Sequence, residues 1–388
     1  MKLRKMLPAV LAGILFFNGM SLSANADPLE TAPPFELTAP ACQLIEANTG
    51  TVIFEKNADE QRQVASVTKL MTVLLLLERI DRGELALTDT VTVSKNAAST
   101  TGSTALLDAG SVYPVEDLLR ATIVASGNDS AVALAEHVSG AEQSFVRLMN
   151  EKAASMGLTG TVYKNCTGLP DPEQHTTARD IGRIACEIAK HPLFFSFSSL
   201  WLSSIRHPSG RITDLTNTNR LVRFYTDCDG MKTGSTNEAK YCVAATAERN
   251  GMRLIAIALG AETSQKRFDA AKSMLDYGFS TYTRKQIIAA GDLTGYQLPV
   301  IRGARETVDI AVGKGLSMLL KAGQAEKMRV ELVLPDSIQA PQSAGKEVGK
   351  ARVLLEGTVV AELPAILAQE VRLPGFLEGF MRILEQWR

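Results

Sequence analysis

The period of the apolar positions changes several times along the chain. "CQLIEANTGTVIFEKN" alternates apolar and polar residues around Asn48-Thr49-Gly50, which predicts a β-hairpin from about Ala41. Helical spacing follows over Ser66–Ile80, Pro114–Val124, Ser130–Val138, Glu142–Met156 and Thr177–Lys190. "KYCVAATAERNGMRLIAIALG" then gives two strand-like runs joined by the turn signal Asn250-Gly251. A further helix is predicted over Ser264–Tyr277, stopping at Gly278. Strands at both ends with helices between them predict an α+β domain, an antiparallel sheet flanked by helices, over residues 41–281. Beyond it, "YQLPVIRG", "ETVDIAVG", "MRVELVLP", "ARVLLEG" and "TVVAELPAIL" are short runs broken by Gly and Pro. They predict a small all-β sandwich over 282–371.

The two ends follow other rules. Lys2, Arg4 and Lys5 precede an apolar segment, and Ala24-Asn25-Ala26 follows it, the pattern of a cleaved secretory signal over 1–26. "DPLETAPPFELTAP", 27–40, then reads as an extended leader, and the mature protein is expected to work outside the cytoplasm. In the segment 372–388, apolar residues at 376, 377, 380, 381, 383, 384 and 387 form one helical stripe. Such a helix can lie in a membrane interface or pack on protein; Glu378 and Glu385 balance Arg382 and Arg388, so attraction to anionic lipid adds little.

Composition narrows the classes. At 388 residues the chain is long for one core, and a net charge of −1 with interleaved signs argues against a nucleic-acid binder. Cys42, Cys166, Cys186, Cys228 and Cys242 show no C-x-x-C spacing, and the four histidines no metal-binding pattern, so neither a metal site nor a cofactor is expected.

The chemistry centres on a lysine inside an apolar helix. Ser66, Lys69 and Thr72 form a narrow polar stripe on a helix otherwise filled by Leu70, Met71 and Val73–Leu77. A serine hydroxyl needs an adjacent base to become a nucleophile, and a desolvated lysine can be that base. A lysine that snorkels to solvent would fit the same spacing. Ser343-x-x-Lys346 matches the pattern too, and S-x-N occurs at Ser23, Ser94, Ser126 and Ser235; only Lys232-Thr233-Gly234 is a unique K-T-G. Ser126-Gly127-Asn128 falls between two helical patterns, with Asp129 or Ser130 available as a cap. Lys232-Thr233-Gly234 opens a strand-like run; its cation and hydroxyl suit a carboxylate, and Gly234 leaves room for a ligand backbone.

In this order, Ser66-x-x-Lys69, Ser126-Gly127-Asn128 and Lys232-Thr233-Gly234 resemble the active-site triplet of the penicillin-binding and serine β-lactamase superfamily. "ASVTKLMT", "ASGNDSAVALAE", "GLPDPEQHTTARD" and "DGMKTGSTNEAKYCVAATA" resemble, more narrowly, the low-molecular-mass D-alanyl-D-alanine carboxypeptidases. That resemblance implies a penicillin-binding/β-lactamase-like domain, a β-sandwich and a C-terminal amphipathic anchor helix. It implies peptidoglycan stem peptides as substrates, β-lactams as covalent inhibitors and the extracytoplasmic face of the cell membrane as the workplace. Ser66 would be the nucleophile, Lys69 its base and Ser126 the proton relay. Asn128 would hold the substrate amide and Lys69, while Lys232 and Thr233 would take the terminal carboxylate. The amides of Ser66 and Ser235 would form the oxyanion hole, and Arg267 stands where family members carry a carboxylate-assisting arginine. The chain has S-G-N rather than S-D-N and lacks Glu-x-x-Leu-Asn between Asn128 and Lys232, which implies slow hydrolysis of a penicilloyl adduct. A DD-endopeptidase of the same superfamily and an inactive peptidoglycan-binding scaffold are the alternatives.

Overall fold

The computed structural model describes residues 33–378 together with 380 and 381. The signal over 1–26 and the part of the tail stripe beyond 381 lie outside these residues. By its internal contacts the chain divides into two units, with the boundary after Ser280.

In the first unit the Asn-Thr-Gly turn joins Ala41–Glu46 to Thr51–Lys56 in an antiparallel pair. The sheet continues from Ala41–Glu46 to Met252–Ala261, then Lys240–Arg249, then Cys228–Thr236 at its edge, every pair antiparallel. Met252–Ala261 is buried at every position, as a central strand covered on both faces must be. Helix Ala178–Ile188 packs at Gly182 against Gln43 and Ile45, on one face. Helix Ser264–Thr281 packs on the face that carries Leu44, since alternate residues of a strand point oppositely. The predicted stop at Gly278 is therefore corrected. The helix runs through it, and a Cβ there would collide with Leu254, so the glycine serves close helix–sheet packing rather than a cap.

Four further helices, Lys69–Asp81, Val115–Val124, Asn128–Ser139 and Glu142–Ser155, form a bundle in which the last three pack on the first. Lys69–Asp81 buries Leu70, Met71, Val73, Leu74, Leu76 and Leu77. At roughly 1.5–3 kcal/mol per fully buried side chain, this stripe fixes the helix at the centre of the core. The helix predicted from Ser66 is divided: Ala65–Thr68 is a 3-10 turn, and the α-helix starts at Lys69. Neither Asp129 nor Ser130 is the cap of its helix; Gly127 holds that position. The Asp129 carboxylate instead accepts the amides of Ala105 and Leu107, at 2.9 and 3.0 Å, which a buried loop would otherwise leave unpaired. The Ser130 hydroxyl donates to the Gly127 carbonyl. The periodicity also passed over the short hairpin of Leu202–Arg206 and Ile212–Thr216, whose five-residue strands hold few apolar side chains.

In the second unit, Tyr282–Ile288 pairs with Leu316–Lys321. A six-stranded sheet runs in the order Met328–Val333, Glu347–Leu355, Thr358–Leu367, Thr307–Val312, Leu293–Ile301, Ile338–Gln339. Val312, Leu320, Met328, Ala351, Val353 and Leu363 form one apolar cluster that joins strands of both sheets. Residues 376–378, 380 and 381 are helical, with Phe376 91% and Leu377 76% exposed. No helix among the described residues is long and apolar enough to cross a membrane.

Candidate active site

The 3-10 turn is what makes Ser66 and Lys69 meet. Side chains three residues apart eclipse in such a turn, and Lys69 Nζ donates to Ser66 Oγ at 2.9 Å. The ammonium position is closed off by two further acceptors, Asn128 Oδ1 at 2.6 Å and the Thr167 carbonyl at 2.7 Å. Lys69 is wholly buried, so it does not snorkel. Burial lowers its pKa to about 7, with Cys166 and Asp129 opposing the shift. Ser66 itself is half-buried and therefore reachable. Ala65, immediately before it, sits at φ +49°, a left-handed conformation that costs a non-glycine residue energy.

The second motif arrives through Asn128. Its Oδ1 takes Lys69, and its Nδ2 donates to the Thr101 carbonyl at 2.6 Å, which fixes the orientation of the amide. Ser126, two residues earlier, has φ +65° and is 3% exposed. Its hydroxyl has no hydrogen-bond partner among the described residues. A buried hydroxyl without a partner costs stability, and such groups concentrate where a substrate completes them.

The third motif lies within the edge strand Cys228–Thr236 rather than at its start, a correction to the predicted placement. Gly234 also serves a purpose other than the predicted one. A Cβ there would collide with the Val64 carbonyl and stand 2.8 Å from the Ser66 nitrogen. The space is filled by the serine's own turn, so the glycine seats the nucleophile against the strand. Lys232 is 2% exposed and donates to the Thr233 carbonyl at 3.1 Å. Burial first, then the charges of Lys69 and Arg267, hold its pKa well below the usual lysine value. Thr233 Oγ1 donates to Thr218 Oγ1 at 2.8 Å, while Ser235 is exposed beside Gly234. Arg267 packs against this strand. Its Nη1 donates to the Gly234 and Cys242 carbonyls at 3.0 and 3.2 Å, and burial lowers its pKa to about 10.

The structure thus gathers Ser66, Lys69 and Asn128 by direct bonds, and Gly234 by contact. Lys232 and Arg267 join them through the charges they exert on one another. Ser343 and Lys346 belong to the other unit. Sequence reasoning missed Thr101, Thr167 and Thr218, which act through backbone carbonyls or a single hydroxyl; Thr101, beside Gly102, and Thr167, next to Gly168-Leu169-Pro170, sit in stretches with a loop or turn signal. Cys166 is no rival nucleophile, because burial holds its thiol protonated. All five cysteines are unpaired. Chemically, the arrangement offers a reachable hydroxyl, a base that can be neutral near pH 7, an unpartnered second hydroxyl and a cation-rich wall.

Comparison with known proteins places this geometry. The family model of D-alanyl-D-alanine carboxypeptidase matches residues 27–263, and that of the penicillin-binding protein 5 C-terminal domain matches 282–372. The D-alanyl-D-alanine carboxypeptidase DacF of Bacillus subtilis is 35% identical, over 99% of each chain. DacC of Escherichia coli is 32% identical over 92% of this chain and 91% of its own. Penicillin-binding protein 5 of Haemophilus influenzae superposes with a TM-score of 0.75 at 29% identity, covering 88% of this chain and 99% of the other.

Proposed function

This chain belongs to the D-alanyl-D-alanine carboxypeptidase family and is a serine-type carboxypeptidase that binds penicillin, and from that premise we propose how its residues divide the reaction. Ser66 attacks the carbonyl of the bond between the two terminal D-alanines of a peptidoglycan stem peptide. Its hydroxyl proton passes to neutral Lys69 as the Oγ–C bond forms. The tetrahedral oxyanion is held by the amides of Ser66 and Ser235, which flank the contact at Gly234. Ser126 relays the proton to the departing amine, D-alanine leaves, and water hydrolyses the acyl-enzyme. Asn128 orients both Lys69 and the peptide amide. Lys232 and Thr233 receive the terminal carboxylate, while Arg267 steadies their strand and adds positive charge.

The observation that carries this reading is the wholly buried Lys69, 2.9 Å from a reachable Ser66 hydroxyl and 2.6 Å from Asn128. The test is release of free D-alanine from a peptide ending in D-Ala–D-Ala: wild type releases it, and Ser66→Ala does not. Release by the variant at the wild-type rate would remove Ser66 from the mechanism.

The place of work belongs to the same proposal. The charged, apolar and A-x-A succession over 1–26 supports export, and the apolar stripe from Phe376 supports a hold on the outer face of the membrane. Both would bring the catalytic unit to the cell wall.

A further inference from the structure

A neutral Lys69 accepts the Ser66 proton only if its lone pair points at the serine. As an ammonium it has three hydrogens for three acceptors, Ser66 Oγ, Asn128 Oδ1 and the Thr167 carbonyl. As an amine it keeps two hydrogens and gains the lone pair. Of its three neighbours only the Ser66 hydroxyl can donate, because the other two are carbonyl oxygens. Both hydrogens are therefore held by Asn128 and Thr167, and the lone pair faces Ser66 Oγ across 2.9 Å. Without either carbonyl, the amine is free to turn a hydrogen toward the serine instead.

The Asn128 oxygen is aimed by the Thr101 carbonyl behind it. The Thr167 carbonyl is aimed by a side chain outside the three motifs, Asn165. Its Oδ1 accepts the Gly168 amide at 2.7 Å, the Thr167 amide at 3.2 Å and the Thr167 hydroxyl at 3.1 Å. Its Nδ2 donates to the Leu169 carbonyl at 3.0 Å. A side-chain amide bonded to its own backbone two and three residues on closes a tight bend, here over 165–169. The bend is anchored on both flanks. Buried Gln174 accepts the Asn165 amide at 3.0 Å through Oε1. Gly168 lies against the nucleophile's own turn, where a Cβ would collide with the Ala65 carbonyl.

We propose that Asn165 is a positioning residue of the reaction: by closing the bend at 165–169 it holds the Thr167 carbonyl on Lys69 and so points the lone pair at Ser66. The proposal rests on the reading of Lys69 as the base. It makes proton transfer depend on a residue that touches neither the substrate nor the reacting atoms.

The test is acylation of the full chain by benzylpenicillin, with the rate followed against concentration so that binding and bond formation separate. The pH is set where the wild-type rate has levelled off. Asn165→Ala should slow the limiting rate roughly 10- to 100-fold and leave the half-saturating concentration within about threefold. Asn165→Asp, which keeps the accepting oxygen, should recover most of the rate. Asn150→Ala is the matched control for loosened structure. Asn150 also makes three bonds to backbone, with the Val146 carbonyl and the Tyr163 carbonyl and amide, but it holds neither carbonyl that Lys69 uses. Its Ala variant should keep the limiting rate within about threefold. Equal losses in the two Ala variants, or no recovery in Asn165→Asp, would reduce Asn165 to a structural role and overturn the assignment. Lys69→Met separates the remaining failures. If it acylates at the wild-type rate, Lys69 is not the base and the proposal falls with that reading. If it fails to acylate while Asn165→Ala acylates normally, Lys69 is the base and Asn165 does not aim it.

Discussion

At Lys69, burial and charge oppose each other, and the site is built so that burial prevails. With no carboxylate bonded to its amine among the described residues, desolvation lowers the pKa to about 7. The sign of the pH dependence follows. Below that value the ammonium form dominates and cannot accept the Ser66 proton, so acylation by a penicillin or a peptide should fall about tenfold per pH unit. Above it the amine is neutral and the rate should level off. A stopped-flow profile flat from pH 5 to 8 would remove Lys69 as the base. Ser126 gives a second expectation at this scale. Because its hydroxyl is buried and unpartnered, Ser126→Ala should leave the melting temperature within a few degrees of wild type or raise it. The same change should slow acylation by roughly 10²–10⁴-fold. A large loss of stability would show that the hydroxyl has a structural partner. Ser66, Lys69 and Asn128 were legible from residue type and order. The carbonyls of Thr101 and Thr167 were not, since any residue supplies a carbonyl and only the fold decides which one arrives.

Two elements, a 3-10 turn and a strand edge, meet at Gly234. The Val64 carbonyl and the Ser66 and Val67 amides occupy the volume of a Cβ there, and none is a side chain that can swing away. Gly234→Ala should therefore push the turn off the strand. Acylation is expected to drop more than about a hundredfold, with a stability loss of roughly 1–3 kcal/mol, read from penicillin kinetics and thermal melts. Near-normal acylation would mean that the turn tolerates displacement. Element types were largely readable because the helices carry clear apolar stripes and two hairpins of the main sheet carry Asn-Gly or Asn-Thr-Gly turns. Element ends were less so. Periodicity alone cannot tell a 3-10 turn from the first turn of an α-helix, and Asp129 was drawn from capping by the amides of a loop distant in sequence. Gly278 looked like punctuation because its packing partners, Leu44 and Leu254, lie on strands from opposite ends of the unit.

For the whole molecule, the carboxypeptidase-like sequence and the β-rich unit were readable from motif order and from the change of pattern near Thr281. Strand order was not, because pairing of Ala41–Glu46 with Met252–Ala261 joins segments some two hundred residues apart and no local signal specifies it. The tail can be tested on the intact protein: deleting Phe376–Arg388 should shift it from the membrane to the soluble fraction, and unchanged sedimentation would refute the hold. Without a Glu-x-x-Leu-Asn motif, the penicilloyl enzyme should deacylate slowly, so that benzylpenicillin inactivates rather than being turned over. The central claim is that Ser66 is the nucleophile, and intact-mass measurement after exposure to benzylpenicillin tests it most directly. Wild-type protein should gain one penicilloyl group, located after digestion on the peptide containing Ser66, and Ser66→Ala should gain none; an adduct on the variant, or on any other peptide of the wild type, would contradict the account.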